Sequence, residues 1–371
     1  MSTAITQEVY QKTLVHFLRP IQPLLDDETV SEVMVVGPNR IYFERAGKIR
    51  PYDGRFASDA SLMAAIRNIA EYTNRQIDGE HSLDARLPTG ERVHAIVPPA
   101  SRVGPCLTIR KFRKSTFDLG KLVEFGSLTA AAADFLSMCV KLHKNIIISG
   151  GTGTGKTSLL NALSTAIPND ERVIVIEDSS ELQLNQEHTI YLEAQTGQME
   201  GQKPVTIRDL FVDSLRMRPD RIIVGEVRRG EALDLIQSMI SGHAGSLTTV
   251  HASTPRDAAR RLETLCLMND AELPVYVARA QVASALHLVV QIARMPDGSR
   301  RVHSIAEACG LDDKNEYTWR DLYRFQSAGM DDHGNILGEL IPTGLRPTFA
   351  QEPFQLGLGN QVKGLASLFC E

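Results

Sequence analysis

A glycine-rich loop between an apolar strand and a helix constrains the fold of this chain more than any other feature. The β-branched run Asn145-Ile146-Ile147-Ile148-Ser149 leads into Gly150-Gly151-Thr152-Gly153-Thr154-Gly155-Lys156-Thr157, and helical spacing continues from Ser158 to Ala166. The loop fits the pattern G-x-x-x-x-G-K-[ST] in the strand–loop–helix context that this motif requires. Because its backbone N–H groups and the positive end of the new helix favour an anion, the loop predicts a phosphate-binding turn.

The end of this loop carries the side chains that a nucleotide site needs. Lys156 is expected to reach the β- and γ-phosphates, and the Thr157 hydroxyl is expected to hold Mg²⁺. The glycines let the backbone approach the phosphates closely. The predicted nucleotide-binding residues are Gly150, Gly151, Thr152, Gly153, Thr154, Gly155, Lys156, Thr157 and Ser158.

Composition places the chain among ordinary globular proteins and narrows its partners. With 371 residues, of which 43% are hydrophobic and 23% charged, it is long enough for two or three domains. The net charge of −5 argues against a dedicated nucleic-acid binder. No apolar run approaches the ~18 residues that span a bilayer. The start lacks the features of a signal peptide, and the five cysteines form no C-x-x-C pair, so we expect a cytoplasmic protein.

The pattern of the chain changes near residue 113. Residues 1–112 show short strand-like and helical runs, which predict a small α+β domain. Residues 113–127 are polar and poorly periodic, and they are interpreted as a linker. Residues 128–371 alternate strand-like and helical runs, which predict an α/β domain with a mainly parallel sheet. Beyond Pro296 the chain shows short strand-like runs and turns, interpreted as a C-terminal addition to this domain.

Titratable residues directly follow three of the predicted strands of this domain. Ligands of open α/β sheets lie outside the carboxyl ends of the strands, so these residues are site candidates. Glu226 has the type and place to orient or deprotonate water, with a helix-capping role as its alternative. Glu177 and Asp178 are candidates to hold Mg²⁺ through water, or else are solvent carboxylates or helix caps. His251 is a candidate to contact the γ-phosphate region and sense hydrolysis, supported by the turn-like residues 242–246 before it, with a structural histidine as the alternative.

Four motifs in order resemble those of the type II/type IV secretion and pilus ATPases. Residues 150–157 resemble the P-loop of these proteins, 175–182 their Asp box, 215–228 their Walker B segment and 242–252 their His box. Further segments are most similar to the Flp/Tad pilus assembly ATPases of CpaF type. These segments are residues 84–93, 107–112, 323–326 and 342–347.

This resemblance implies a RecA-like P-loop NTPase core, preceded by a smaller α+β N-terminal domain, that hydrolyses ATP with Mg²⁺. It implies a homo-hexameric ring, peripheral at the inner face of the bacterial inner membrane, that powers pilus assembly or secretion through an inner-membrane platform protein. It also implies catalytic arginines on the N-terminal domain, where Arg92 and Arg110 lie on matching strands and Arg86 is a third option. The alternative for these arginines is a surface salt bridge. Arg228 and Arg229 are expected to pair with phosphate or with the Asp box.

The sequence departs from the family pattern near two of its motifs. Arg229-Gly230-Glu231 replaces the usual Gly-Gly-Glu, and residues 242–245 are Gly-His-Ala-Gly where Gly-His-Asp-Gly is usual. Gly225 also stands before Glu226, where other P-loop enzymes carry an acidic Mg²⁺ ligand. Three alternatives to a pilus ATPase stay open: a conjugative type IV secretion ATPase, a hexameric nucleic-acid motor and a non-hydrolysing scaffold. Aromatic residues make up only 6% of the chain, so direct nucleic-acid binding is not expected.

Overall fold

The computed structural model of the chain describes residues 13–45, 47–73, 75–87, 89–111, 117–195 and 203–370. The described residues form two compact units, one built from residues up to 111 together with Lys203 and the other from 117–195 and 204–370. Within these ranges no helix has the length and apolar character needed to span a bilayer.

The first unit is an antiparallel sheet with one long helix in its core. The described strands lie in the order β3-β2-β1-β6-β5-β4. Their bounds are β1 Val30–Val36, β2 Arg40–Arg45, β3 Lys48–Tyr52, β4 Ser82–Arg86, β5 Arg92–Ile96 and β6 Cys106–Arg110. The helices are α1 Gln22–Asp26, after a 3-10 turn at Arg19–Ile21, and α2 Asp59–Tyr72. Leu62, Ile66 and Ile69 of α2 share one buried core with alternate strand residues, as the two-residue period of a strand predicts.

The second unit is an α/β unit around one large mixed sheet. Its described strands lie in the order β15-β14-β13-β12-β7-β11-β10-β8-β9. Their bounds are β7 Ile146–Ser149, β8 Val173–Glu177, β9 Thr189–Glu193, β10 Arg221–Val224, β11 Leu247–Val250, β12 Leu288–Arg294, β13 Arg300–Leu311, β14 Tyr317–Met330 and β15 Ile336–Pro342. Pairing is parallel from β12 to β9 and antiparallel from β12 to β15. The predicted α/β class with a mostly parallel sheet is confirmed.

Helices cover both faces of this sheet. They are α3 Leu119–Glu124, α4 Ala130–Lys141, α5 Lys156–Ser164, α6 Ile207–Ser214, α7 Glu231–Ile240, α8 Pro255–Cys266, α9 Val275–Ala285 and α10 Glu352–Gln355, followed by a 3-10 turn at Gly359–Leu365. Ile146 and Ile148 belong to the core shared with α4 and α5, whereas Ile147 belongs to the core shared with α7, α8 and α9. Because both faces of the central strands are buried, these strands are continuous apolar runs in the sequence.

Two segments differ from the expectation based on sequence. Residues 112–116 lie outside the described residues, but Leu119–Glu124 in the predicted linker is helical. Asp118 caps this helix, and Leu119 and Leu122 are buried in the core of the second unit. The predicted C-terminal addition of short strands is instead the long strands β13–β15, which extend the main sheet. In both segments the local pattern is weak, and tertiary packing decides the structure.

Candidate active site

The carboxyl ends of four neighbouring strands carry the candidate site residues of the second unit. In sheet order these strands are β7, β11, β10 and β8. The glycine-rich loop follows β7, His251 follows β11 and Glu226 comes two residues after β10. Glu177 ends β8 and Asp178 comes next. Since parallel strands end at one edge of a sheet, this strand order gathers residues that are far apart in the sequence.

The glycine-rich loop is a tight turn whose shape depends on missing side chains. Gly153 and Gly155 have φ angles of +70° and +96°, in the left-handed region that favours glycine. A Cβ atom on Gly150 would lie 2.5 Å from the carbonyl oxygen of Ile292. The Thr154 hydroxyl donates to the carbonyl oxygen of Gly151 at 2.9 Å and closes the turn. The helix α5 begins directly after Gly155, so its N-terminus points at the loop.

Lys156 is buried and lies over the loop. Its Nζ donates to the carbonyl oxygens of Gly150 at 3.1 Å and Gly151 at 2.9 Å. The same atom lies 3.4–3.5 Å from the two ring nitrogens of His251. An ammonium group beside neutral carbonyls at the mouth of a glycine turn suits a phosphate as its anionic partner. Thr157 follows in the first turn of α5 and is half-buried, so the predicted nucleotide-binding residues form one continuous cradle.

Glu226 lies at the centre of a chain of polar contacts. Its Oε1 is 3.0 Å from Nε2 of His251, and its Oε2 accepts a hydrogen bond from Arg228 at 2.7 Å. The other Nη of Arg228 donates to Asp178 at 2.7 Å. The contact of Arg228 with the Asp box, one of the two options from the sequence, is therefore present. The chain Lys156–His251–Glu226–Arg228–Asp178 crosses the ends of all four strands.

The charges around this chain keep Glu226 ionised and His251 neutral. Burial acts to raise the pKa of Glu226, but the hydrogen bond and charge of Arg228, with His251 and Lys156, outweigh it and lower the pKa. Burial and the charge of Lys156 lower the pKa of His251. A neutral imidazole with its proton on Nε2 can donate to Glu226, while the Lys156 ammonium lies almost equally far from both ring nitrogens. The site thus holds an ionised carboxylate beside a neutral histidine.

Glu177 is buried and binds the backbone of the Asp box. Its carboxylate accepts from the N–H groups of Glu181 at 2.9 Å and Leu182 at 3.0 Å. Burial raises its pKa to about 7 against the effect of these hydrogen bonds. A Cβ atom on Gly225 would lie 2.9 Å from the Glu177 Cγ, so glycine at 225 makes room for this side chain. The geometry gives Glu177 a role in shaping the loop, and its catalytic and metal roles stay predictions.

Side chains alone do not form a metal centre in the part of the chain that the structure describes. No group of three or more His, Cys, Asp or Glu residues within it is arranged to hold a metal ion. Asp178 is partly exposed and bound to Arg228. Mg²⁺ is usually held by one or two protein groups together with substrate phosphates. The Thr157 hydroxyl beside the phosphate cradle fits that mode of binding.

Several supporting contacts were not predicted from the sequence. Glu231 accepts hydrogen bonds from the backbone N–H groups of Arg228 and Arg229, at 2.8 and 2.9 Å, and so holds the loop that follows β10. The buried Thr249 hydroxyl donates to the carbonyl oxygen of Gly225 at 2.8 Å. These contacts join the end of β10 to β11 and to α7. Of these contacts, only those of Glu231 had a signal in the sequence, which is the position of this residue just after the Walker B segment.

The turn at residues 242–246 does not lie beside His251, because the turn precedes β11 and His251 follows this strand. The two ends of a strand lie on opposite edges of a sheet, so the turn is on the edge away from the glycine-rich loop. There the backbone N–H of Gly245 donates to Asn145, and its carbonyl oxygen accepts from Arg221 at 3.1 Å. This turn therefore supports the fold and does not support a role for His251.

Arg92 and Arg110 lie in the first unit, opposite each other on β5 and β6, and Arg86 on β4 is opposite Arg92. Glu32 on β1 stands opposite Arg110. Arg92 is also 4.0 Å from Asp84, a surface ion pair of the kind that the alternative interpretation expected. The three arginines thus form one cross-strand row, with the carboxylates of Glu32 and Asp84 next to it. The catalytic role of these arginines stays a prediction.

The sequence model of the family described as "Type II/IV secretion system protein" matches residues 16–325. A putative conjugal transfer protein of Mycobacterium tuberculosis is 34% identical over 294 residues, covering 77% of this chain and 83% of the relative. The type IV secretion system protein PtlH of Bordetella pertussis is 35% identical over 314 residues, covering 76% and 91%. The conjugal transfer protein TrbB of Rhizobium radiobacter is 35% identical over 291 residues, covering 76% and 84%.

Two solved structures of ATPases are also similar to this chain. The VirB11 ATPase of the Brucella suis type IV secretion system is 31% identical, with 79% of this chain and 96% of that chain covered and a TM-score of 0.42. The Legionella pneumophila ATPase DotB is 18% identical, with 77% and 79% covered and a TM-score of 0.57, and this likeness shows the P-loop NTPase fold alone. Because the family match spans most of the chain, this protein belongs to the type II/IV secretion system protein family and is an ATPase.

Proposed function

We propose that this ATPase hydrolyses ATP with Glu226 orienting and deprotonating the attacking water, and that hydrolysis drives a conjugal transfer or type IV secretion machine. The observation that carries the catalytic part is the half-buried Glu226 carboxylate between Arg228 and His251, with its pKa lowered. An ionised carboxylate is the form that can accept a proton from water. The contact of His251 with Lys156 links this carboxylate to the phosphate cradle.

Each neighbour of Glu226 has a separate role in this proposal. Lys156 supplies positive charge to the β- and γ-phosphates, and His251 contacts the γ-phosphate region. Arg228 keeps Glu226 ionised and ties it to the Asp box. Mg²⁺ bound with the nucleotide would neutralise phosphate charge, with the Thr157 hydroxyl as a direct ligand and the Asp box contributing through water.

Two substitutions test the catalytic part. Glu226→Gln should retain ATP binding and reduce kcat by roughly 10²-fold or more, the range for loss of general-base assistance. Lys156→Ala should abolish binding or turnover, because the phosphates lose their fixed counter-charge. Glu187→Gln, at an exposed carboxylate before β9, is the matched control and should behave as wild type. Wild-type turnover by Glu226→Gln would remove Glu226 from this role.

The machine is proposed from the relatives, which are conjugal transfer and type IV secretion proteins by their names. They support this function over the pilus assembly that the sequence motifs suggest. In the native host, a deletion complemented with Glu226→Gln should lose conjugal transfer or secretion, and wild-type protein should restore it. Loss of surface pili with transfer intact would instead favour pilus assembly. ATP turnover stimulated by DNA or RNA would support a nucleic-acid motor.

The proposed working form is a homo-hexameric ring that acts on an inner-membrane platform protein from the inner face of the membrane. Light scattering with ATP and Mg²⁺ should report six subunits, and monomers alone at tens of micromolar would contradict the ring. Arg92 and Arg110 are proposed to stabilise charge on the transferring phosphoryl group. Replacing either with alanine should lower kcat and leave nucleotide affinity unchanged. Arg50→Ala, at an exposed arginine of the same sheet, is the control.

A further inference from the structure

The hairpin that joins β12 to β13 packs against the glycine-rich loop. The strand β12 is the parallel neighbour of β7, with Gln291 opposite Ser149. The carboxyl ends of both strands therefore lie beside the loop. Ile292 of β12 contacts the loop at two points. Its carbonyl oxygen occupies the space of a Gly150 side chain, and its Cδ1 would lie 3.7 Å from a Cβ atom on Gly155. This hairpin therefore forms one wall of the phosphate cradle.

Arg300, the first residue of β13, lies on this wall. Its Nε donates to the carbonyl oxygen of Gly153 at 2.9 Å. Its Cδ would lie 3.3 Å from a Cβ atom on Gly155, so the missing side chain there leaves space for the arginine stem. The next residue, Arg301, instead donates to carbonyl oxygens of β15. Of these two adjacent arginines, Arg300 is directed to the loop and Arg301 to the sheet.

A second arginine stands opposite the first across the hairpin. Arg294 of β12 is the cross-strand partner of Arg300, so both side chains leave the same face of the sheet, and both residues are exposed. Arg294 therefore places a second positive charge on the face of the hairpin from which Arg300 contacts Gly153.

We propose that Arg300 is a nucleotide-binding residue of this ATPase, and that its guanidinium contacts the phosphate chain of bound ADP or ATP, with Arg294 adding positive charge beside it. The inference rests on nucleotide binding at the glycine-rich loop, as proposed above. The planar guanidinium forms strong charge-assisted hydrogen bonds with phosphate oxygens. Since the backbone N–H groups of such loops cradle the α- and β-phosphates, the contact should serve ADP and ATP alike.

The test is the affinity of the full-length protein for fluorescent ADP and ATP analogues, measured by titration. Arg300→Ala and Arg300→Gln should each weaken both affinities by about 10-fold, as expected for loss of a hydrogen bond to a charged group. Arg300→Lys should retain part of the affinity, because it keeps the charge. Arg324→Ala is the matched control, since Arg324 is an exposed arginine of β14 paired with Asp321, and it should bind as wild type.

The glutamine variant separates nucleotide binding from a merely structural role. Glutamine can still donate a hydrogen bond to Gly153 but carries no charge. Wild-type affinity in Arg300→Gln would mean that Arg300 only braces the loop, and this result would overturn the proposal. A loss confined to ATP would overturn it as well.

Two further readouts separate the causes of weak binding. Equal unfolding temperatures of wild type and Arg300→Gln without nucleotide would exclude a folding defect. If the wild-type protein itself bound neither nucleotide, the proposed function would fail together with this inference. If wild type binds and Arg300→Gln binds equally well, only the inference about Arg300 fails.

Discussion

Replacing Glu171 with glutamine should destabilise the second unit by about 3 kcal/mol at pH 7. Glu171 accepts two hydrogen bonds from Arg221, at 2.7 and 3.0 Å, and Arg221 is 0% exposed. Burial acts against ionisation of Glu171, but His143 and Arg221 outweigh it and lower its pKa from 4.5 to about 2. At about 1.4 kcal/mol per pKa unit, this shift corresponds to about 3 kcal/mol. Breaking a buried ion pair by removing one partner costs about 3–5 kcal/mol, which agrees with this magnitude.

The stabilisation from Glu171 should depend on pH in one direction. Its pKa in the folded protein lies below the ordinary value of 4.5, so the unfolded chain takes up the proton first as the pH falls. The contribution is therefore present above pH 4.5 and is lost as the pH falls toward about 2. Glutamine does not titrate, so the difference between wild type and Glu171→Gln should shrink over that range.

The assay is denaturant unfolding at pH 7 and at about pH 3.5, a pH at which the contribution of Glu171 to stability should be partly lost. Hydrogen exchange of the β10 and β11 amides then reports the local stability. A local probe is needed because a chain of two units need not unfold in one step. Asp270→Asn is the control, because Asp270 is 93% exposed in its pair with Arg208 and should change stability little. Nucleotide affinity should stay unchanged, since Arg221 begins β10 at the edge away from the loop. A loss below about 1 kcal/mol at pH 7, or one that does not vary with pH, would refute this reasoning.

Two further predictions concern the carboxylates near the phosphate cradle. Arg228→Gln should raise the pKa of Glu226, because it removes the hydrogen bond and the charge that lower this pKa. The acid limb of the kcat–pH profile should then move to higher pH. The control is Arg229→Gln, at an exposed neighbouring residue, which should leave the acid limb in place. The pKa of Glu177 is raised from 4.5 to about 7, so the unfolded chain loses this proton first and metal-free wild-type protein should lose stability between those pH values. Unfolding temperatures of Glu177→Gln should lack that loss, and an equal pH dependence in both proteins would contradict the prediction.

The sequence alone determined the local parts of the site. The glycine spacing of the loop and the apolar runs before it predict β7 and the start of α5, because turn geometry and burial on both faces leave a local pattern. The same reasoning predicts strands directly before Glu177 and Glu226, where the structure has β8 and β10, and it selects these two carboxylates as site candidates. These inferences need only the residues within a few positions of each strand.

Tertiary structure decided which of these residues meet. The order β7-β11-β10-β8 differs from the order of the strands in the sequence, and only this order places His251 between Lys156 and Glu226. It also moves the turn at 242–246 to the opposite edge of the sheet from the loop. Arg300 reaches Gly153 because β13 pairs with β12 and β12 pairs with β7. Such pairings between distant segments depend on which apolar faces pack together. The free energy of that packing comes from contacts in the folded core, so it cannot be predicted from a local pattern of residues.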